Sequence, residues 1–161
     1  MSLFTFLGLQ ESSGLEVGAK APVVSATDHL NQRVHFADLY RQGPVLVYFY
    51  PKADTPGCTA QACSLRDTFE ELTGYGLQIV GVSGDFPEAQ QNFRDKYQLQ
   101  FLLISDPNGI VANAFGVPTF LRLPKRQSFL IKDGLVVWRN LKVSPKTHAA
   151  EVRAALETVW S

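Results

Sequence analysis

The segment Pro44–Tyr50 (PVLVYFY) is an unbroken run of β-branched and aromatic residues, flanked by Gly43 and Pro51. A strand with one wet face alternates apolar and polar side chains, so an unbroken run needs cover on both faces. Leu77–Val82 and Phe101–Ile104 are further buried strand runs. Between these runs lie helical patterns. Thr59–Leu72 places Leu65, Phe69 and Leu72 on one face, and Pro87–Tyr97 is a polar helix with proline in its first turn. Buried strands alternating with helices specify a sheet with a parallel portion and helices on both sides. Ser128–Ile131 and Leu135–Leu141 add two strands joined at Asp133-Gly134, a hairpin turn signal. The sheet is therefore expected to be mixed, and the fold class to be α/β, a three-layer αβα sandwich.

The rest of the chain fits around that centre. An N-terminal β-hairpin is expected from Val23-Val24 and Arg33–Phe36, with the turn in Asp28–Gln32. Asn108–Phe115 reads as a short helix. Ser144-Pro145 is a cap-plus-first-turn pair that opens a last helix striped by Ala149, Val152, Leu156, Val159 and Trp160. The apolar stretch Leu3–Leu9 has no basic residue before it, the first being Lys20, and no small-residue cleavage site after it. It falls far short of the roughly 20 residues that cross a bilayer. It is expected to be an extra strand or a loosely attached tail, so residues 1–16 form an extension and 17–161 one domain.

Charge narrows the function. Fifteen Lys and Arg balance fifteen Asp and Glu, and no basic run stands out, so nucleic acid is an unsuitable partner. Three histidines and two cysteines lack the spacing of a zinc site, and Gly74, Gly76 and Gly81 flank a strand instead of opening a helix as a dinucleotide fingerprint does. No metal and no organic cofactor are expected. The histidines, His29, His35 and His148, are assigned to the surface or the hairpin, with His148 on the polar side of the last helix.

The two cysteines, Cys58 and Cys63, remain to be explained. Tyr48–Asp67 (YFYPKADTPGCTAQACSLRD) takes the chain from a core strand through a Pro/Gly loop to a cysteine at the start of a helix. A thiol reacts as its thiolate, and the unpaired N–H groups and dipole of a helix N-terminus favour that form. Gly57 permits close approach of the backbone to a small ligand. Thr55 offers a hydroxyl that can donate and accept, and Pro51 and Pro56 stiffen the loop and help exclude water. Read from its position alone, Cys58 could equally be an inert buried thiol.

The whole segment resembles the peroxiredoxins, in the branch of the bacterioferritin comigratory proteins and peroxiredoxin Q. The P-x-x-x-T-x-x-C signature stands as Pro51, Thr55 and Cys58, and the branch's second cysteine as Cys63. GVSGD, LLISDPNG, AFGV and SFLI extend the likeness across about residues 17 to 160. The resemblance implies a thioredoxin-like fold and a thiol peroxidase. Cys58 would be the peroxidatic nucleophile. Thr55 and the N–H groups of the loop at Gly57 and Cys58 would hold the peroxide. Arg126 would be the active-site arginine and Pro51 the shield of the sulfur. Gln61 stands where many peroxiredoxins have a glutamate that orients the arginine, a supporting place.

The resemblance further implies that Cys63 resolves the Cys58 sulfenic acid to a disulfide, which thioredoxin or glutaredoxin would reduce. In an ideal helix, residues five apart differ by about 7.5 Å of rise and about 140° of rotation, so their Cα atoms lie about 8.7 Å apart. A disulfide needs less than about 7 Å. Oxidation is therefore expected to unwind the helix after Cys58. The chain is expected to be cytoplasmic and monomeric, with no membrane association. A redox sensor signalling through the same disulfide would use the same chemistry without rapid turnover. A thioredoxin-like donor would need C-x-x-C instead. Three departures from the family are the segment 1–16, a short Val117–Lys125 before the arginine, and Asn31-Gln32 in place of a glycine-containing turn.

Overall fold

The computed structural model describes residues 14–160. The segment Leu3–Leu9 lies outside the described residues. The chain forms β1 (Ser25–Asp28), β2 (Arg33–His35), α1 (Phe36–Gln42), β3 (Val45–Phe49), α2 (Pro56–Asp67), α3 (Phe69–Thr73), β4 (Gln78–Ser83) and α4 (Pro87–Lys96). It continues through β5 (Leu102–Ser105), α5 (Ile110–Ala114), a two-stranded ribbon of β6 (Thr119–Phe120) and β7 (Leu123–Pro124), β8 (Ser128–Lys132), β9 (Leu135–Asn140) and α6 (His148–Trp160).

Among the described residues, seven strands form one sheet in the order β2-β1-β5-β4-β3-β8-β9. β3, β4 and β5 run parallel, whereas β1, β8 and β9 pair antiparallel to their neighbours, so the sheet is mixed as expected. All five residues of β3 are buried. Leu46 and Tyr48 pack with Ala62, Leu65, Leu72, Phe93 and Val152 from α2, α3, α4 and α6. Val45, Val47 and Phe49 pack on the opposite face with Phe36, Val111 and Phe115, from α1, α5 and the residue after α5. Two cores on two faces of one sheet make the three-layer sandwich. The central run lacks polar positions because neither face of it meets water.

Four details differ from the sequence reading. The first hairpin strand is Ser25–Asp28, while Val23 is 79 % exposed. The Asp28 carboxylate accepts from the N–H groups of Leu30 and Gln32, and Asn31 takes φ 60°, which turns the chain without glycine. Phe36 begins a helix instead of ending a strand, and its fully buried ring anchors α1. The helix expected over Thr59–Leu72 divides at Thr68, whose hydroxyl donates back to the Ser64 carbonyl. The last helix begins at His148, after a turn closed by Thr147 N–H to Ser144 O at 3.2 Å.

The turn at Asp133-Gly134 has φ 53° and 75°, the double left-handed conformation of a tight hairpin. Residues 14–16, expected to belong to an extension, touch the domain. Leu15 N–H donates to Phe115 O at 3.0 Å, and Arg139 Nη1 donates to the carbonyls of Gly14 and Leu15 at 3.1 Å. Among the described residues, no helix is long and apolar enough to cross a membrane.

Candidate active site

The parallel strands β3 and β4 end on the same side of the sheet, where crossover loops of α/β proteins collect ligands and reactive groups. The loop 51–55 leaves β3 there and is tied down at several points. Ala53 N–H donates to Asp85 Oδ2 at 2.8 Å, and Asp85 also accepts from the Ser83 hydroxyl at 2.6 Å. Asp54 sits at φ 60° and accepts from Lys96 Nζ at 2.9 Å and from the Tyr97 hydroxyl at 2.7 Å. The Lys96 and Tyr97 hydrogen bonds hold the Asp54 carboxyl below the usual carboxylate range. This loop delivers Pro56 to the first helical position, where its missing N–H costs nothing.

Cys58 follows in the first turn of α2, 2 % exposed and in the core cluster of that face. Both cysteines are free thiols, and Cys63, half-buried, lies on the same uninterrupted helix. The N–H groups of Gly57 and Cys58 lie in the first turn, where no intrahelical carbonyl is available to them. Thr55 is the N-cap but makes no side-chain cap. Its hydroxyl donates to Lys52 O at 2.7 Å, so its oxygen lone pairs remain to accept. Pro51 is half-buried at the end of β3, whereas Pro56 is exposed and so gives the sulfur little cover.

Arg126 reaches this turn from the segment before β8. Its Nη1 lies 3.4 Å from Cys58 Sγ and donates to Gln61 Oε1 at 2.7 Å. Gly57 makes that approach possible. A Cβ there would lie 3.2 Å from Arg126 Nη2 and 3.7 Å from Pro145 Cγ. The sequence reading gave Gly57 the task of admitting a ligand; in the structure it also admits the guanidinium.

Sequence reasoning placed Cys58, Thr55, Gly57, Gln61 and Arg126 in one site, and the structure brings them together. It missed His148. Instead of lying on the polar side of α6, His148 is fully buried. Its Nδ1 is 2.9 Å from Gln61 Nε2, its Nε2 is 3.0 Å from Ser128 Oγ, and its ring centroid is 5.7 Å from that of Tyr48. Burial, and secondly the Arg126 charge, push its pKa down to about 4. The signal was present: residues 148, 152 and 156 share one helix face, and Val152 and Leu156 are buried on it. His29 is also buried, against the Leu103 backbone, whereas His35 is exposed. Among the described residues, no group of three or more His, Cys, Asp or Glu is placed to hold a metal ion.

Comparison with known proteins gives consistent matches. The model of the AhpC/TSA family matches residues 17–139. The chain is 36% identical over 146 residues to the chloroplastic peroxiredoxin Q of Oryza sativa subsp. japonica, covering 88% of this chain and 67% of that one. It is 38% identical over 148 residues to the putative peroxiredoxin bcp of Coxiella burnetii, covering 86% and 96%. Among solved structures, the peroxidoxin BcpB of Mycobacterium tuberculosis superposes with a TM-score of 0.86 at 31% identity, covering 91% of this chain and 99% of that one. The bacterioferritin comigratory protein of Xanthomonas campestris, described with alkyl peroxide reduction activity, gives 0.82 at 28% identity, covering 93% and 100%.

Proposed function

This chain belongs to the AhpC/TSA family as a thiol peroxidase with the thioredoxin-like fold, and from that premise we propose an intramolecular disulfide cycle run by Cys58 and Cys63. The Cys58 thiolate attacks one oxygen of the peroxide and the O–O bond breaks. Sulfur is oxidised to the sulfenic acid, and the departing alkoxide or hydroxide takes a proton and leaves as alcohol or water. The Cys63 thiol then attacks the sulfenic sulfur, forming the S–S bond and releasing water. A dithiol donor of the thioredoxin or glutaredoxin kind returns both cysteines to thiols and is itself oxidised to a disulfide.

The roles follow from atoms. Arg126 can only donate, so its Nη1 stabilises negative charge on Cys58 Sγ and on the peroxide oxygens. The N–H groups of Gly57 and Cys58 belong to the positive end of α2 and add to that stabilisation. Thr55 Oγ, its own proton engaged by Lys52 O, accepts from the peroxide O–H. Pro51, half-buried where the chain leaves β3, helps to keep water from the sulfur. Both thiols lie on α2, so the cycle runs within a monomer without a cysteine from another copy. The reducing cytoplasm, which keeps thiols free, suits such a cycle.

The observation that carries this reading is the 3.4 Å approach of Arg126 Nη1 to a buried thiol in a helix first turn. The test is peroxide consumption by wild type, Cys58→Ser and Cys63→Ser, each with a thioredoxin system and with dithiothreitol. Cys58→Ser should lose all turnover. Cys63→Ser should form a sulfenic acid and turn over only with the small thiol. Full activity in Cys58→Ser overturns the assignment, and unchanged thioredoxin-driven turnover in Cys63→Ser overturns the disulfide.

A further inference from the structure

The hydrogen bonds around Arg126 admit one arrangement of protons. A guanidinium has donors and no acceptor, so the Gln61 atom 2.7 Å from Arg126 Nη1 must be the amide oxygen. The Gln61 amide nitrogen then faces His148 and donates to Nδ1, which must be bare. The imidazole proton therefore sits on Nε2 and is donated to Ser128 Oγ, 3.0 Å away. Gln61, Ser128 and His148 are all fully buried, so water does not substitute for a missing partner.

We propose that His148 is a positioning residue of the thiol site, acting through Gln61 as a neutral acceptor that keeps the Gln61 carbonyl turned toward Arg126 and so aims the guanidinium at Cys58. This rests on the peroxidase reading of that site. The arrangement contains no carboxylate: among the described residues, no Asp or Glu lies within ion-pair distance of Arg126. The arginine is held in place without its charge being cancelled, and that charge is left for the thiolate and the peroxide.

The device fails if His148 becomes a cation. Both ring nitrogens then donate, and Gln61 must turn its oxygen to His148 and its NH₂ to Arg126, donor against donor. Among the described residues, nothing near the ring favours that state. Tyr48 from β3 presents a ring whose hydroxyl is held neutral by burial, Ser128 from β8 is neutral, Gln61 from α2 is neutral, and Arg126 is a like charge. On α6 itself, Glu151 is engaged by Thr147 and Asn140.

Two measurements test this, neither depending on peroxide turnover. The first is the ¹⁵N spectrum of the His148 ring in the wild type, which should show the Nε2-protonated neutral tautomer from pH 8 to pH 5. A protonated Nδ1 anywhere in that range overturns the proposal. The second is the pH profile of Cys58 alkylation by iodoacetamide in a Cys63→Ser background. His148→Leu, which removes the acceptor, should move the profile to higher pH with about fivefold slower alkylation at neutral pH, the value of one neutral hydrogen bond. His148→Asn, whose side-chain oxygen can accept from Gln61, should restore most of it. Ser128→Ala, a small change that leaves the ring unanchored, should shift it in the Leu direction. Profiles unchanged in His148→Leu and Ser128→Ala, or equal losses in Leu and Asn, overturn the proposal. If the Leu variant fails to fold, Ser128→Ala and the tautomer decide on the same terms. Loss of peroxidase activity in the wild type would instead strike the reading beneath it.

Discussion

Oxidation of α2 should cost the protein a measurable part of its stability. Cys58 and Cys63 lie five residues apart within the continuous helix Pro56–Asp67, so their Cα atoms in regular geometry are about 8.7 Å apart against a disulfide limit of about 7 Å. Opening 58–63 releases the carbonyls of those residues from the N–H groups four positions on, about six hydrogen bonds. At about 1 kcal/mol net each, the loss is about 6 kcal/mol. A disulfide closing so short a loop restores about 2 kcal/mol by restricting the unfolded chain. The oxidised protein should therefore be about 4 kcal/mol less stable than the reduced one, a fall in Tm of about 10 °C for a chain of this size. Gln61 and Ala62, both fully buried, lie within the segment that opens, so Arg126 should lose its Gln61 anchor in the same step. Calorimetry on the two redox forms reads the Tm, and amide hydrogen exchange over Thr59–Leu65 reads the location. An oxidised form with equal or higher Tm, or with that segment as protected as in the reduced protein, refutes the reasoning.

Two further outcomes follow from the same site. The His148 pKa is about 4 in the folded chain and about 6.5 when unfolded, a depressed value, so its neutral form contributes full stability above pH 6.5 and loses it as pH falls toward 4. The loss amounts to about 3 kcal/mol by pH 4, and urea unfolding of wild type and His148→Asn should differ in pH slope by that much between pH 7 and pH 4; parallel curves count against it. Gly57→Ala puts a methyl 3.2 Å from Arg126 Nη2, which must shift by a few tenths of an ångström. Peroxide kcat/KM should fall severalfold while Tm holds or rises, because alanine favours the helix; a lower Tm with unchanged kcat/KM would contradict it.

The sheet and the nucleophile's own turn were legible in the sequence, for different physical reasons. β3 and the Ile79–Val82 stretch of β4 declare themselves because strands covered on both faces leave little place for polar residues. The β8–β9 turn declares itself because Asp133-Gly134 suits two successive left-handed residues. Thr55, Gly57 and Cys58 are read together because a helix N-terminus is a local construction, complete within a few residues. α1 was misread because seven residues carry barely two turns of periodicity, and its single deep anchor, Phe36, is as compatible with a strand as with a helix.

What local reading cannot supply is the chain of contacts that holds Arg126. Gln61 and His148 are 87 residues apart, and His148 and Ser128 are 20 apart. They meet only because α2 and α6 pack on the same face of the sheet and β8 runs beneath them. A histidine is also ambiguous by chemistry: on a helix it is equally suited to water and, if both nitrogens are satisfied, to a core. The deciding fact was the burial of Val152 and Leu156 at four and eight residues beyond it, which puts position 148 inside whatever its polarity. Once inside, a histidine must find partners for both ring nitrogens or forfeit the desolvation cost, and here Gln61 and Ser128 satisfy both. A buried polar residue on an otherwise apolar stripe is therefore better read as evidence for partners elsewhere in the chain than as a break in the stripe, and in this fold those partners lead to the reactive sulfur.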